Sequence, residues 1–296
     1  MPVVGVLVTH AAVDEPIFDS LRAGLREYGY EEGRNIKLEI VTAEGHLDRL
    51  PGIAQELVRQ SVDVIIAPNE VSSRTAQQAT KTIPIVSIGF GNDPVASGVV
   101  DSLGRPGGNV TGIYGLWVEL DGKRLEVLKE TLPGVSRVAV FRTPGFDRQV
   151  GELRRAAQSL GMRLELVDVG GPSDFETAFK VAKRKKVAAV MLESSPIFYL
   201  HRARVAALAL HARLPTISGF NQSVEAGGFM SYGADVADTF RRTAYYVDRL
   251  LKGAKPSELP VEQVSKFKLA VNLKTANALG ITIPEPILLR ADEVIR

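Results

Sequence analysis

The 296-residue chain has no cysteine. Disulfides, thiol catalysis and cysteine-ligated metal are therefore excluded. Neither sign of charge is in excess: 36 Lys and Arg face 34 Asp and Glu, a net charge of +2. That balance gives no reason to expect nucleic acid or an anionic membrane as partner. There are only four histidines. His201 and His211 fall ten residues apart on one expected helix, hence on different faces, and no zinc site is expected. No apolar stretch approaches the ~20 residues that span a bilayer. No basic and apolar leader precedes the first core segment, Val3–Val8.

Reaction motifs are also missing. There is no G-x-S-x-G, so the nucleophile elbow is absent. The stretch "GRPGGN" lacks the lysine and hydroxyl of a phosphate loop, and no G-x-G-x-x-G follows the first apolar run. No convergent acid–base or nucleophile set is visible. The reading is therefore a non-enzyme with no cofactor and no metal.

What is present is an ordinary globular mix, 45% hydrophobic and 24% charged, long enough for two domains. Short apolar runs alternate with amphipathic segments. Val3–Val8, Ile36–Thr42, Val62–Ala67 and Ile85–Ile88 read as strands, with helices at 17–28, 47–58 and 72–80 between them. After a helix over 118–131, the cycle repeats. Strands are expected at Val138–Phe141, Arg163–Val169, Ala188–Leu192 and Pro215–Ser218, and a helix runs from Ile197 to His211. A last helix, Ala234–Lys252, precedes a proline-rich tail. This order predicts an α/β fold with two Rossmann-like parallel sheets and a seam near residues 113–117. Between the fourth strand and the seam lies a glycine-rich stretch, Gly89–Gly112. Gly104–Gly108 is expected to form a rigid turn, and Asn109–Gly112 to lead into the first crossing between domains.

Open parallel sheets bind ligands beyond the carboxyl ends of their strands. The candidates there in the first half are Thr9, His10, Ala11, Asn69, Glu70, Ser72, Phe90 and Asp93. In the second half they are Arg142, Phe146, Asp147, Glu193, Ser194, Ser195, Phe198, Phe220 and Asn221, with Trp117 at the seam. Aromatic and small polar residues together suit a pocket for a flat apolar group with a polar end. Each also has a plainer reading. The serines are good helix caps, the phenylalanines could fill the core, Trp117 could pack a hinge, and Arg142 could form a surface ion pair. An ammonium group on the ligand would need Asp93, Asp147 or Glu193, whereas Arg142 would favour a carboxylate.

Several long blocks carry a resemblance. They are "GLREYGYEEGRNIKLEI", "GNDPVASGVVDSLGRPGGNVTG", the segment from "VEAGGFMSYGADVADTFRRTAYYVDRLLKG" to "LAVNLKTANALGITIP", and the closing "LLRADEVIR". In order, and over essentially the whole chain, they resemble the ABC-transporter substrate-binding proteins related to tryptophan- and phenylalanine-binding proteins. The resemblance implies a type I periplasmic-binding-protein fold, with two domains joined by a three-stranded hinge. The domains would be residues 1–115 with 234–256, and 116–233 with 257–296. It implies a small-molecule ligand, an aromatic or hydrophobic carboxylate such as an aromatic amino acid, clamped by closure of the two domains. It also implies an ABC permease as membrane partner, a periplasmic or lipid-anchored location, and a precursor with a signal peptide. A monomer is expected, with no nucleic acid partner. The alternative is the ligand-sensing domain of a regulatory protein, which in the lactose-repressor kind follows a DNA-binding helix-turn-helix.

Overall fold

The computed structural model describes residues 1–9, 16–90, 93–115, 117–144 and 147–296, with only the backbone at 89–90, 117–119 and 147–149. The chain runs β1 (Val3–Val8), α1 (Ile17–Glu27), β2 (Lys37–Thr42), α2 (Leu50–Arg59), β3 (Val64–Ala67), α3 (Glu70–Ala79), β4 (Ile85–Phe90) and β5 (Val110–Tyr114). Next come α4 (Trp117–Thr131), β6 (Arg137–Arg142), α5 (Asp147–Ser159), β7 (Arg163–Asp168), α6 (Phe175–Arg184), β8 (Ala189–Leu192), α7 (Pro196–Leu200), α8 (Arg202–Ala212), β9 (Thr216–Ser218), α9 (Gln222–Glu225) and β10 (Met230–Ala234). Then α10 (Val236–Leu251), β11 (Glu262–Gln263), β12 (Phe267–Asn272), α11 (Leu273–Leu279), α12 (Glu285–Arg290) and β13 (Glu293–Ile295) complete it.

These elements form two compact units, Met1–Leu116 with Asp235–Lys266, and Trp117–Ala234 with Phe267–Arg296. The chain passes from one to the other three times. The resemblance places the last passage near residue 256. It falls ten residues later because β11 pairs in parallel with β5, and the Thr111 hydroxyl donates to the Leu259 carbonyl at 2.7 Å.

The first unit holds a six-stranded sheet in the order β11-β5-β4-β3-β1-β2, every pairing parallel. All four residues of β3, Val64–Ala67, are apolar and buried, as a strand with both faces covered requires. One face packs on α1 and α10, through Phe18, Leu21, Leu25, Phe240 and Val247. The other packs on α2 and α3, through Leu50, Ala54, Leu57 and Ala76. The second unit holds seven strands, β13-β12-β10-β9-β8-β6-β7, in which β10 and β12 run antiparallel and the other neighbours parallel. Leu125, Leu128 and Leu153 cover one face; Phe175, Phe179 and Phe198 cover the other.

Three differences from the sequence reading have physical causes. The segment that leads into the first crossing is itself a sheet strand over residues 110–114. Gly112 hides this from pattern reading, yet it is what lets β5 approach β4: its φ is +137° and a Cβ there would lie 2.0 Å from the Ser87 carbonyl oxygen. The helix expected over 197–211 is two helices, broken at His201 (φ −99°, ψ 22°). The "tail" supplies β12 and β13, which close one edge of the second sheet. Within 93–109 the expected turn is present: Gly107 has φ +81°, and the Asp101 amide donates to the Pro106 carbonyl at 2.9 Å.

Candidate functional site

In each sheet the strand order reverses once. In the first unit β1 lies between β2 and β3, and in the second β6 lies between β7 and β8. Loops leaving such a pair of strands in opposite directions open a crevice at their carboxyl ends. A polar contact spans that point in both units.

In the first unit, Thr9 follows β1 and Asn69 follows β3. The Asn69 Nδ2 donates to Thr9 Oγ1 at 2.7 Å. The same Asn69 caps α3: its Oδ1 accepts from the Ser72 amide at 3.0 Å, and Ser72 Oγ accepts from the Asn69 amide at 3.2 Å. So the cap is Asn69, and Ser72 is its reciprocal partner rather than the cap itself. Ser73 Oγ, 2.6 Å from Ser87 Oγ, ties this helix start to β4. Asn69→Ala is expected to cost about 1–2 kcal/mol, because it removes a cap and the partner of buried Thr9. Urea unfolding checks this, and a loss under a few tenths would remove Asn69 from that role.

In the second unit, Thr143 follows β6 and Glu193 follows β8. Glu193 Oε2 accepts from the Thr143 amide at 2.6 Å and from Thr143 Oγ1 at 2.8 Å. Burial pushes the Glu193 carboxyl up, against those two bonds; the nearby Asp121 charge adds to the rise and Arg142 opposes it. Beside it, α4 contributes a fully buried ion pair, Arg124 with Asp121. Arg124 Nε also donates to the Tyr232 carbonyl on β10 at 2.7 Å. Burial pushes Asp121 up to about 6 despite the pull of Arg124, and pushes the guanidinium down. Gly219, just past β9, lies against Ser194 and Arg124. A buried pair whose desolvation exceeds its mutual attraction is weak support for the fold. Perturbed groups of this kind at strand ends mark a candidate site.

The remaining sequence candidates are distributed as follows. Arg142 Nε donates to Asp168 at 2.6 Å, the ion-pair alternative of the sequence reading. Asp93 is exposed, and its Oδ1 accepts from the Val95 and Ala96 amides, so it organises a turn. Glu70 accepts from Arg74 at 3.0 Å. Ser195 stands before α7 without a side-chain capping bond. Phe198 is buried in the core with its ring centroid 6.0 Å from that of Phe175, which takes it away from the strand-end surface. Phe220 is half-buried against Tyr199, centroids 5.3 Å apart. Asn221 donates to Glu225 at 3.3 Å. His10, Ala11 and Phe146 lie outside the described residues, as do the side chains of Phe90, Trp117 and Asp147.

Asp121, Arg124, Thr143 and Gly219 were absent from the sequence candidates. The signal for the first two was present: in "LDGKRLEVL" they share the helical face of Leu125 and Leu128. Charged residues on an apolar stripe must be paired or functional. Among the described residues no group of three or more acidic or histidine side chains could hold a metal ion, and no helix is long and apolar enough to cross a membrane.

Comparison with known proteins places this architecture. A tyrosine-binding protein of Clostridioides difficile (strain R20291) is 26% identical over 279 residues, covering 93% of this chain and 79% of that protein. A conserved domain protein of Vibrio cholerae shares the fold at TM-score 0.88 and 30% identity, with 99% of each chain covered. An ABC domain of Streptococcus pneumoniae, solved in complex with L-Trp, superposes at TM-score 0.89 and 26% identity, again over 99% of each chain. The fold is that of the type I periplasmic binding proteins. Residues 3–295 match the family described as ABC transporter substrate binding protein, and the chain belongs to that family.

Proposed function

We propose that this substrate-binding protein is the extracytoplasmic receptor of an ABC importer and that its ligand is an aromatic amino acid or a related aromatic or hydrophobic carboxylate. The observation that carries the reading is similarity along nearly the whole chain to one protein named for tyrosine and to another solved with L-Trp. The strand ends give it a chemical basis. Thr9 and Asn69 offer hydrogen-bonding groups at the strand ends of the first unit; in the second unit Thr143, Glu193 and Ser194 do so, and Phe220, just past β9, is half-buried. Phe90 and Trp117 are retained in the proposed ligand set from the sequence pattern. Ligand binding closes the two units, and the closed monomer delivers its ligand to the permease without chemical change.

A ligand present at 100 times its dissociation constant stabilises a protein by about 2.7 kcal/mol. L-tyrosine, L-tryptophan or L-phenylalanine at that excess is therefore expected to raise the melting temperature, with calorimetric titration giving a single site. Mass spectrometry of the released compound should return it unaltered. A panel of aromatic amino acids and aromatic acids that produces neither a melting shift nor heat would refute the aromatic reading.

A further inference from the structure

We infer that, at the site proposed above, Arg124 and Ser194 form the receptor for the ligand's carboxylate in the second unit. The inference rests on that site being the ligand site and adds which end of the ligand is read there, and by which atoms.

A guanidinium carries five N–H donors and no acceptor. In Arg124, Nε is committed to the Tyr232 carbonyl and Nη1 to Asp121. Its Nη2 has no hydrogen-bond partner among the described residues, although the side chain is fully buried. Ser194 Oγ is also buried without a partner among them. Unsatisfied buried donors are rare and costly, so each calls for an explanation. These two are not scattered. A Cβ built on Gly219 would lie 2.2 Å from Ser194 Oγ and 2.6 Å from Arg124 Nη2. Both atoms therefore converge on the α-carbon of Gly219 at the carboxyl ends of β8 and β9, and any side chain at 219 would displace them. Ser194 and Phe220 are half-buried.

The chemistry of the converging groups selects the ligand end. The guanidinium can only donate, and the serine hydroxyl can donate alongside it, so the complementary group is an acceptor. An anionic acceptor makes the stronger bonds. An ammonium group would meet the positive charge of the guanidinium there, with the lone pairs of Ser194 Oγ to accept from it but nothing to take the Nη2 donors. The Oε2 atom of Glu193, next in sequence to Ser194, already takes both Thr143 bonds. A water bridging Nη2 and Oγ is the purely structural alternative, and it predicts no discrimination between an acid and its amide.

The test is calorimetric titration of the full chain with L-tyrosine, L-tryptophan and their carboxamides, for wild type, Ser194→Ala and Arg124→Lys. Wild type should bind each acid roughly tenfold or more tightly than its carboxamide, the scale of one charge-assisted hydrogen bond. Ser194→Ala, which removes one oxygen from a half-buried site, should weaken the acids by at least fivefold more than the carboxamides. Arg124→Lys, where circular dichroism shows it folded, should shrink the acid preference as well. Wild type that does not distinguish acid from amide overturns the inference, and so does a preference that Ser194→Ala leaves intact. If wild type binds none of the four compounds, the aromatic reading itself fails and this inference goes with it. Binding with unchanged discrimination sinks the inference alone.

Discussion

A Gly112→Val variant is expected to lose about 3–5 kcal/mol of stability, summing a strained backbone and an overpacked contact. Gly112 sits inside β5, between β4 and β11, with φ at +137°. A branched side chain rarely adopts that conformation. The contact is worse than the torsion. Its Cβ would lie 2.0 Å from the Ser87 oxygen and 2.7 Å from the Ser87 nitrogen, both backbone atoms of β4 that cannot rotate away. Relief requires β5 to separate from β4 and would disturb β11 beyond it. Gly104 and Gly108, in the same glycine-rich stretch, have no atom within 4 Å of a built Cβ and no positive φ. Their alanine variants should stay within about 0.5 kcal/mol of wild type. Chemical unfolding of the three variants side by side decides the matter. A Gly112→Val loss no larger than that of Gly108→Ala would mean that β4 and β5 yield easily.

That contrast shows what was legible in the sequence. The glycine-rich stretch is conspicuous as a cluster, yet its glycines do different work, and only the position opposite Ser87 carries a close approach. Long-range contacts of this kind leave no local trace. The doubly wound pattern was legible because β1, β3, β6 and β8 are apolar runs punctuated by amphipathic helices such as α1, whose Phe18, Leu21 and Leu25 share one buried face. Strands β5 and β10 were not: Gly112 interrupts the β-formers of "VTGIY", and "MSYGA" mixes serine, glycine and alanine with a single strong β-former, Tyr232. At the candidate site, the rule that ligands lie beyond strand ends picked out Thr9, Asn69, Glu193 and Ser194. It passed over Asp121 and Arg124 because these reach the strand ends from a helix, and a charged pair three residues apart on a helix ordinarily points to solvent. Phe198 failed in the opposite direction: its place after β8 looked like a pocket wall, but the turn into α7 carries it into the core against Phe175.

Arg124→Met is expected to cost about 3–5 kcal/mol at neutral pH, the usual penalty for removing one partner of a buried ion pair. The pH dependence identifies the cause. In the folded protein the Asp121 carboxyl stands at about 6, above its ordinary 3.8, because burial outweighs Arg124. Arg124 is the group that holds it down, so its loss sends the folded value higher still. A carboxyl raised in the folded state binds a proton there that the unfolded chain releases. Its contribution to stability therefore rises as pH falls from above the folded value toward 3.8. Wild type and variant share this sign, but the variant has the larger shift. The gap between them should be widest at high pH and narrow as pH falls toward about 6, because over that range the variant sheds its uncompensated charge by taking a proton while wild type still uses the ion pair; below about 6, with Asp121 neutral in both, it should level off. A remainder should persist at every pH, since methionine leaves the Tyr232 carbonyl without its donor. Adding Asp121→Asn to Arg124→Met removes the titrating group, and at pH 8 the double variant should lie closer to wild type than the single variant does, without the rise in stability on acidification that Asp121 gives wild type. Thermal unfolding of the three proteins from pH 8 to pH 5 provides the comparison. A gap for Arg124→Met that does not change with pH would place the whole cost in lost packing and in the orphaned carbonyl, leaving none to the uncompensated charge.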